Sequence, residues 1–308
     1  MKYVTTRWNK QRSALSLLGC LMFLAVPLVL PHASVAAQTT TDLSGVKVAV
    51  YSGGPFEPGN NSRTALTHMF EWMGATVALI SPEEIRNQVL WGYDILVIPG
   101  IPPANTYVEL WQEGVEQIRQ FVANGGSYFG ICGGSVFGMS GNLGFFDGTL
   151  RGPIPGVAGG IHLTTMAVNH ESTGPDLSAL PANYSLLFWD SGYWYKEDMS
   201  GVITVASYPT NGQPGMIASR YGYGTYFLSS PHPEWEEGDP RDGTAYFDEY
   251  NDPDSEWPLM LSVANWLVDA SPAPPPPGPN LGLIAVAAVG VAIGAGAVVA
   301  LVFILKRR

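Results

Sequence analysis

Between Val46 and Ile131 short β-rich runs and amphipathic stretches follow one another in strict alternation, and few folds accommodate that order. VKVAVY (46–51) passes through the turn SGGP into SRTALTHMFEWMG (62–74), whose apolar residues recur at helical spacing up to a closing glycine. ATVALI (75–80) leads into SPEEIRNQVL (81–90), where Ser81 is placed to cap a helix that has Pro82 at its first position. YDILVIPG (93–100) is a continuous apolar run, suited to a parallel strand covered on both faces. TYVELWQEGVEQIRQFVANGG (106–126) reads as a long amphipathic helix, and SYFGI (127–131) as a fourth strand. This order predicts a doubly wound α/β sheet, in which ligands sit beyond the carboxyl ends of the strands. Cys132 lies at one of those ends. From Arg151 to Leu228 the texture changes to IHLTTMAV, YSLLFW, VITVASY, GMIASRY and GTYFLSS, read as hairpins added to the same sheet. A last helix is expected over Glu256 to Asp269, and no internal repeat is present.

Both ends read as membrane-directed. Lys2, Arg7, Lys10 and Arg12 precede an apolar run from Ala14 to Leu30 and the small residues of ASVAAQ, so residues 1–37 are expected to be a signal peptide. Cys20 falls inside that run and is expected to leave with it. Residues 281–305 carry no charge, and 25 residues at about 1.5 Å each exceed a hydrocarbon core of about 30 Å. They are expected to span the membrane, with Lys306, Arg307 and Arg308 left in the cytoplasm and SPAPPPPGPN (271–280) as a stiff linker. The expected localisation is therefore the cell membrane, single-pass, with an extracytoplasmic domain over 38–270.

All 26 acids lie in that domain against eight bases, a net of −18. Such a field repels polyanions, so no nucleic acid is expected as a partner. Cys132 is the domain's only cysteine, which excludes an internal disulfide. The segment from Glu234 to Glu256 holds ten acids and one base, Arg241. Hard cations bind such oxygen-rich loops, but the spacing is not that of an EF-hand, and a solvated acidic surface is the expectation. His68 is expected to be a surface or packing residue of the first helix, and no cysteine or tight carboxylate spacing joins His162 and His170 into a metal set. No metal and no cofactor is expected. Asn60-Asn-Ser62 and Asn183-Tyr-Ser185 have the form of glycosylation acceptors. The aromatic run from Leu186 to Asp198 suits either a cleft lining or the core, with Asp190, Ser191 and Gly192 as a turn near the site.

Two short motifs could carry chemistry. Gly130-Ile-Cys132-Gly-Gly134 has the form of a strand-to-helix turn around a nucleophile, with small neighbours and a following N–H free for an oxyanion. The same glycines would equally surround a buried filler cysteine. His232-Pro-Glu234 ends a β-rich run, and two positions apart on an extended segment a base and a carboxylate point the same way.

Order and motifs together resemble the class I glutamine amidotransferase-like superfamily. Within it, VKVAVYSGG, YDILVIPG, TYVELW, NGGSYFGICGG and SSPHPE are most similar to the biotin-protein-ligase N-terminal domain family. The resemblance implies a three-layer, flavodoxin-like sheet. It also implies Cys132 as nucleophile, His232 as base and Glu234 as its orienter, with the backbone N–H groups of Gly100 and Gly133 forming an oxyanion hole. Val136 departs from the pattern, because glutamine-hydrolysing members usually place a glutamine there. The chain has no glycine- and arginine-rich nucleotide loop and no KWPND-like stretch, so biotin transfer is not implied. The function expected is hydrolysis of a small-molecule or peptide amide, or a related acyl bond, through a thioester. The alternative is a non-catalytic ligand- or partner-binding module that keeps the fold and a vestigial triad.

Overall fold

A computed structural model describes residues 42–54, 57–252 and 254–271. Strands β1 (Lys47–Tyr51), β2 (Thr76–Ile80), β3 (Ile95–Ile98) and β4 (Ser127–Ile131) alternate with helices α1 (Glu57–Trp72), α2 (Pro82–Arg86) and α3 (Pro103–Ala123). A short helix α4 (Gly133–Phe137) follows Cys132. Then come β5 (Thr149–Arg151), β6 (Ile161–Val168), β7 (Asn183–Trp189), β8 (Tyr193–Tyr195), β9 (Ile203–Ser207), β10 (Pro214–Tyr221), β11 (Gly224–Ser229) and helix α5 (Trp257–Asp269).

Nine strands form one sheet in the order β2-β1-β3-β4-β11-β10-β9-β6-β7, while β5 and β8 pair separately. The first five run parallel, and the remaining four extend the sheet by antiparallel pairing. The late β-rich section is thus an extension of the same sheet.

Alternation along each strand explains the layers. Val48, Val50, Ile95, Val97, Phe129, Ile131 and Phe227 face one core, closed by Leu66, Met69 and Phe70 of α1 and by Leu259, Met260, Val263 and Leu267 of α5. Ala49, Tyr51, Leu96, Ile98, Tyr128, Tyr226 and Leu228 face the other, closed by Ile85 of α2, by Leu110, Ile118 and Phe121 of α3, and by Phe137 of α4. Neither face of the parallel strands can be polar, which is why their sequences are nearly unbroken apolar runs.

Two expected helices are less regular than their periodicity suggests. Ser81 caps α2 as a capping box, accepting from the Glu84 N–H while Glu84 accepts from the Ser81 N–H. The helix nevertheless ends at Arg86, and Val89–Gly92 forms a separate 3-10 turn behind a left-handed Gln88. Inside α3, Trp111 leaves helical geometry at φ 54°, with the Arg86 guanidinium over its ring at 4.4 Å and bonded to the Glu109 carbonyl.

No helix among the described residues is long and apolar enough to cross a membrane. The signal peptide expected over 1–37, the membrane span over 281–305 and the basic end over 306–308 lie outside the described residues, as does the linker beyond Ser271.

Phe129 sits fully buried at the centre of the parallel strands, edge-on to Phe70 at 5.2 Å and tilted against Phe227 at 4.8 Å. Phe129→Ala is expected to lower the unfolding free energy by about 3–5 kcal/mol, read from urea midpoints at unchanged m-value.

Candidate active site

Cys132 leaves β4 at φ 48° and ψ −112°, a conformation that costs energy for any residue with a Cβ and persists only where its surroundings hold it. Those surroundings are backbone. A Cβ on Gly133 would lie 1.8 Å from the Ile101 carbonyl oxygen, and one on Gly134 would lie 2.1 Å from that of Ile98. Only glycine lets the turn approach the β3–α3 loop so closely. The Tyr128 hydroxyl donates to the Gly134 carbonyl at 2.5 Å and the Ser135 hydroxyl to the Cys132 carbonyl at 2.6 Å, which pins the turn from both sides. The Cys132 N–H donates to the Ser229 carbonyl at 2.8 Å, which ties the turn to the end of β11.

His232 follows β11 across Ser230 and Pro231, with its N–H bonded to the Leu187 carbonyl at 3.0 Å. Its ring stacks on Trp235, the centroids 4.4 Å apart. Nδ1 lies 2.9 Å from Glu234 Oε1, so the protonated Nδ1 donates to the carboxylate and Nε2 is left for other work. A Cβ on Gly100 would sit 2.9 Å from the imidazole Cε1 and 3.6 Å from the Cys132 Cβ, so ring and thiol-bearing side chain meet over Gly100.

His232 and Glu234 are 2% and 0% exposed. Burial pulls the imidazole pKa down, but the Glu234 carboxylate and the negative charge of Cys132 outweigh it and raise it to about 10. Nε2 has no other hydrogen-bond partner among the described residues, which leaves it for Cys132.

The two expected oxyanion donors differ. Gly133 opens α4, where an N–H has no partner within the helix. The Gly100 N–H instead donates to Ser62 Oγ at 3.0 Å, so it is engaged rather than free. Ser62 also donates to Glu234 Oε1 at 2.7 Å and thus joins the β3 loop to the carboxylate. In the sequence Ser62 stands out only as the third position of Asn60-Asn-Ser62; it is in fact 1% exposed. No local spacing relates it to Glu234, since the contact spans 172 residues.

Ser191 Oγ donates to the Ser230 carbonyl at 3.1 Å and the Gly192 N–H to Ser230 Oγ at 2.8 Å, so the turn after β7 does border the site. The other histidines stand apart. His162 packs on Phe188, and His170 Nε2 lies 3.4 Å from the Pro181 carbonyl. A surface cavity lined by Trp91, Asp94, Gly126 and Ser127 lies at the opposite, amino-terminal end of β3 and β4.

The expectation of a solvated acidic surface over 234–256 is wrong for half of its acids. Glu234, Glu236, Glu237, Asp242 and Glu256 are buried, in a segment whose Trp235, Phe247 and Trp257 are buried too. Burial, reinforced by neighbouring carboxylates, pushes Glu237 up to about 8 and Glu256 well above the usual range.

Comparison with known proteins agrees with this architecture. The sequence model of the family described as "Biotin-protein ligase, N terminal" matches residues 46–151, the segment from β1 to β5 that includes Cys132. An uncharacterized protein of Chlamydia muridarum is 27% identical over 205 residues, covering 55% of this chain and 75% of that one. Among solved structures, PurLQS from Thermotoga maritima is similar with a TM-score of 0.50 at 16% identity, over 72% of this chain and 99% of that one. A ThuA-like protein from Bacteroides uniformis is similar with a TM-score of 0.50 at 14% identity, over 74% and 94%. The chain thus resembles the class I glutamine amidotransferase-like proteins in fold, and over residues 46–151 the N-terminal family of the biotin-protein ligases in sequence.

Proposed function

We propose that this is a membrane-anchored, extracytoplasmic amidotransferase-like domain whose Cys132, His232 and Glu234 hydrolyse an amide or related acyl bond of a small molecule or peptide. The observation that carries this reading is the strained Cys132 at the end of β4, facing a buried imidazole whose far nitrogen is held by a carboxylate. The Cys132 thiolate attacks the carbonyl carbon and the π electrons move to oxygen, where the Gly133 N–H is placed to stabilise them. The intermediate collapses with cleavage of the C–N bond, and His232 Nε2 gives its proton to the leaving amine. Water then yields a proton to Nε2 and attacks the thioester, releasing the acid and the thiolate. Glu234 keeps the proton on Nδ1 and stabilises the imidazolium. With Val136 in the turn, the substrate proposed is an amide other than free glutamine.

A second reading is a binding module with the same pocket and no turnover. The observation in its favour is the Gly100 N–H, which is engaged by Ser62 where a hydrolase would keep it free. Tight metabolite binding without turnover, unchanged in His232→Ala, would select it.

Iodoacetamide is expected to alkylate Cys132 faster than glutathione at pH 7, and Cys132→Ala to abolish release of amine from a panel of amides. Glu234→Gln should lower that rate by about 10²–10⁴-fold with little change in KM. Labelling no faster than glutathione, together with hydrolysis unchanged in Cys132→Ala, would sink the proposal.

The imidazole offers a second test. Its pKa is raised in the folded chain, so the folded state holds the proton more tightly than the unfolded state. That contribution to stability is complete below about pH 6.5 and is lost as the pH rises toward about 10. The stability difference between wild type and His232→Gln, from urea midpoints, should shrink across that window. Histidine titration by NMR should show the His232 pKa falling in Cys132→Ala, because one of the charges that raise it is gone.

A further inference from the structure

The buried acids after His232 divide according to their partners. Glu234 is bonded to Ser62 and His232 through Oε1, its Oε2 having no partner among the described residues, and Glu236 accepts from Ser255 Oγ at 2.6 Å and from Arg241 Nε at 2.8 Å. Asp242 accepts the N–H groups of Glu236 and Thr244 at 3.2 and 2.8 Å. A second group is unlike these. Both carboxylate oxygens of Glu237, Oδ2 of Asp252 and Oε1 of Glu256 are buried with no hydrogen-bond partner among the described residues. Glu237 and Glu256 are only 2% and 1% exposed.

Two of the acids that carry these oxygens, Asp252 and Glu256, come together with Asp254. Asp252, Asp254 and Glu256 each offer a carboxylate oxygen, and the three lie within 4.8 Å of one another. The Asp252 N–H donates to the Glu237 carbonyl at 2.8 Å, which holds the backbone of the two together. Arg241, the segment's one base, is committed to Glu236 and Asp239. An unpaired buried carboxylate is costly, and a cluster of them calls for a counter-charge.

We propose that Asp252, Asp254 and Glu256 form a calcium-binding site in the segment that follows His232 and Glu234, with Glu237 adjoining it through the backbone. The donor set is all oxygen, which disfavours zinc, whose usual ligands are nitrogen and sulfur. Calcium takes six to eight oxygens in flexible geometry, whereas magnesium demands a tight octahedron and keeps much of its water. Two of the oxygens are already engaged by backbone, Asp252 Oδ1 with the Asp254 N–H at 3.2 Å and Asp254 Oδ2 with the Ser185 N–H at 3.4 Å. The orphaned ones remain for the ion. Calcium there ties the segment after β11 to the start of α5, where Trp257 Nε1 also donates to the Glu234 carbonyl at 3.1 Å.

The test uses full-length protein stripped with EGTA. Equilibrium dialysis against radioactive calcium should find about one ion per chain, and saturating CaCl2 should raise Tm by about 5–10 °C at a hundredfold excess over Kd, with a much smaller shift in MgCl2. Asp252→Asn and Glu256→Gln should each lose most of that shift, while Asp198→Asn, which removes a carboxylate outside the cluster, keeps it. If either cluster variant does not fold, Asp254→Asn is dialysed instead and should bind at least tenfold more weakly. Absence of bound calcium in the wild type, an equal response to magnesium, or undiminished binding in the folded variants would each overturn the proposal.

Discussion

Parallel pairing of β4 between β3 and β11 is the constraint from which the site follows. The register sets Ser229 beside Ile131 and Ile98 beside Gly130, so three chain segments distant in sequence end at the same level of the sheet. Each then turns away into a loop: Pro99-Gly100 after β3, Cys132-Gly133-Gly134 after β4, and Ser230-Pro231-His232 after β11. A slip of one residue in either ladder would turn the alternate side chains to the wrong core and separate the thiol from the imidazole. Both cores therefore hold the site in register.

Glycine at 133 and 134 is the local counterpart of that constraint. The β3–α3 loop comes so near the turn that carbonyl oxygens occupy the space of two side chains. This close approach forces Cys132 into positive φ and projects its side chain over Gly100. Strain here is a product of packing on both sides of the turn, and the Tyr128 and Ser135 hydroxyls keep it from relaxing.

Charge is organised on the same principle. His232 and Glu234 are almost wholly removed from water, a costly arrangement for either alone, and Nδ1 of one is bonded to Oε1 of the other with Ser62 as a third member. The same Ser62 hydroxyl accepts from the Gly100 N–H, so the orienting carboxylate and the β3 loop are coupled through one hydroxyl. Farther along, the pairing fails. Glu237 and Glu256 are buried as fully, yet both oxygens of Glu237 and Oε1 of Glu256 lack a partner among the described residues. Two kinds of buried acid within one loop are hard to reconcile with a purely structural role for all of them.

Much of the architecture could be read from residue order. Unbroken apolar runs such as Ile95–Ile98 reveal strands covered on both faces, and Ser81-Pro82 with Glu84 marks a helix start, because both signals depend on neighbours a few positions away. The glycines around Cys132 and the two-residue spacing of His232 and Glu234 were legible for the same reason. The interruption at Trp111 was not, since it accompanies a contact with Arg86 from another helix. Ser62 was invisible as a site residue, its partners lying 38 and 172 positions away. The acidic segment misled because composition reports how many carboxylates a loop contains, whereas their solvation depends on how the loop packs. Local pattern thus decided the elements and the two motifs; only the assembled sheet decided which groups meet, which are buried, and which buried charges are left without a partner.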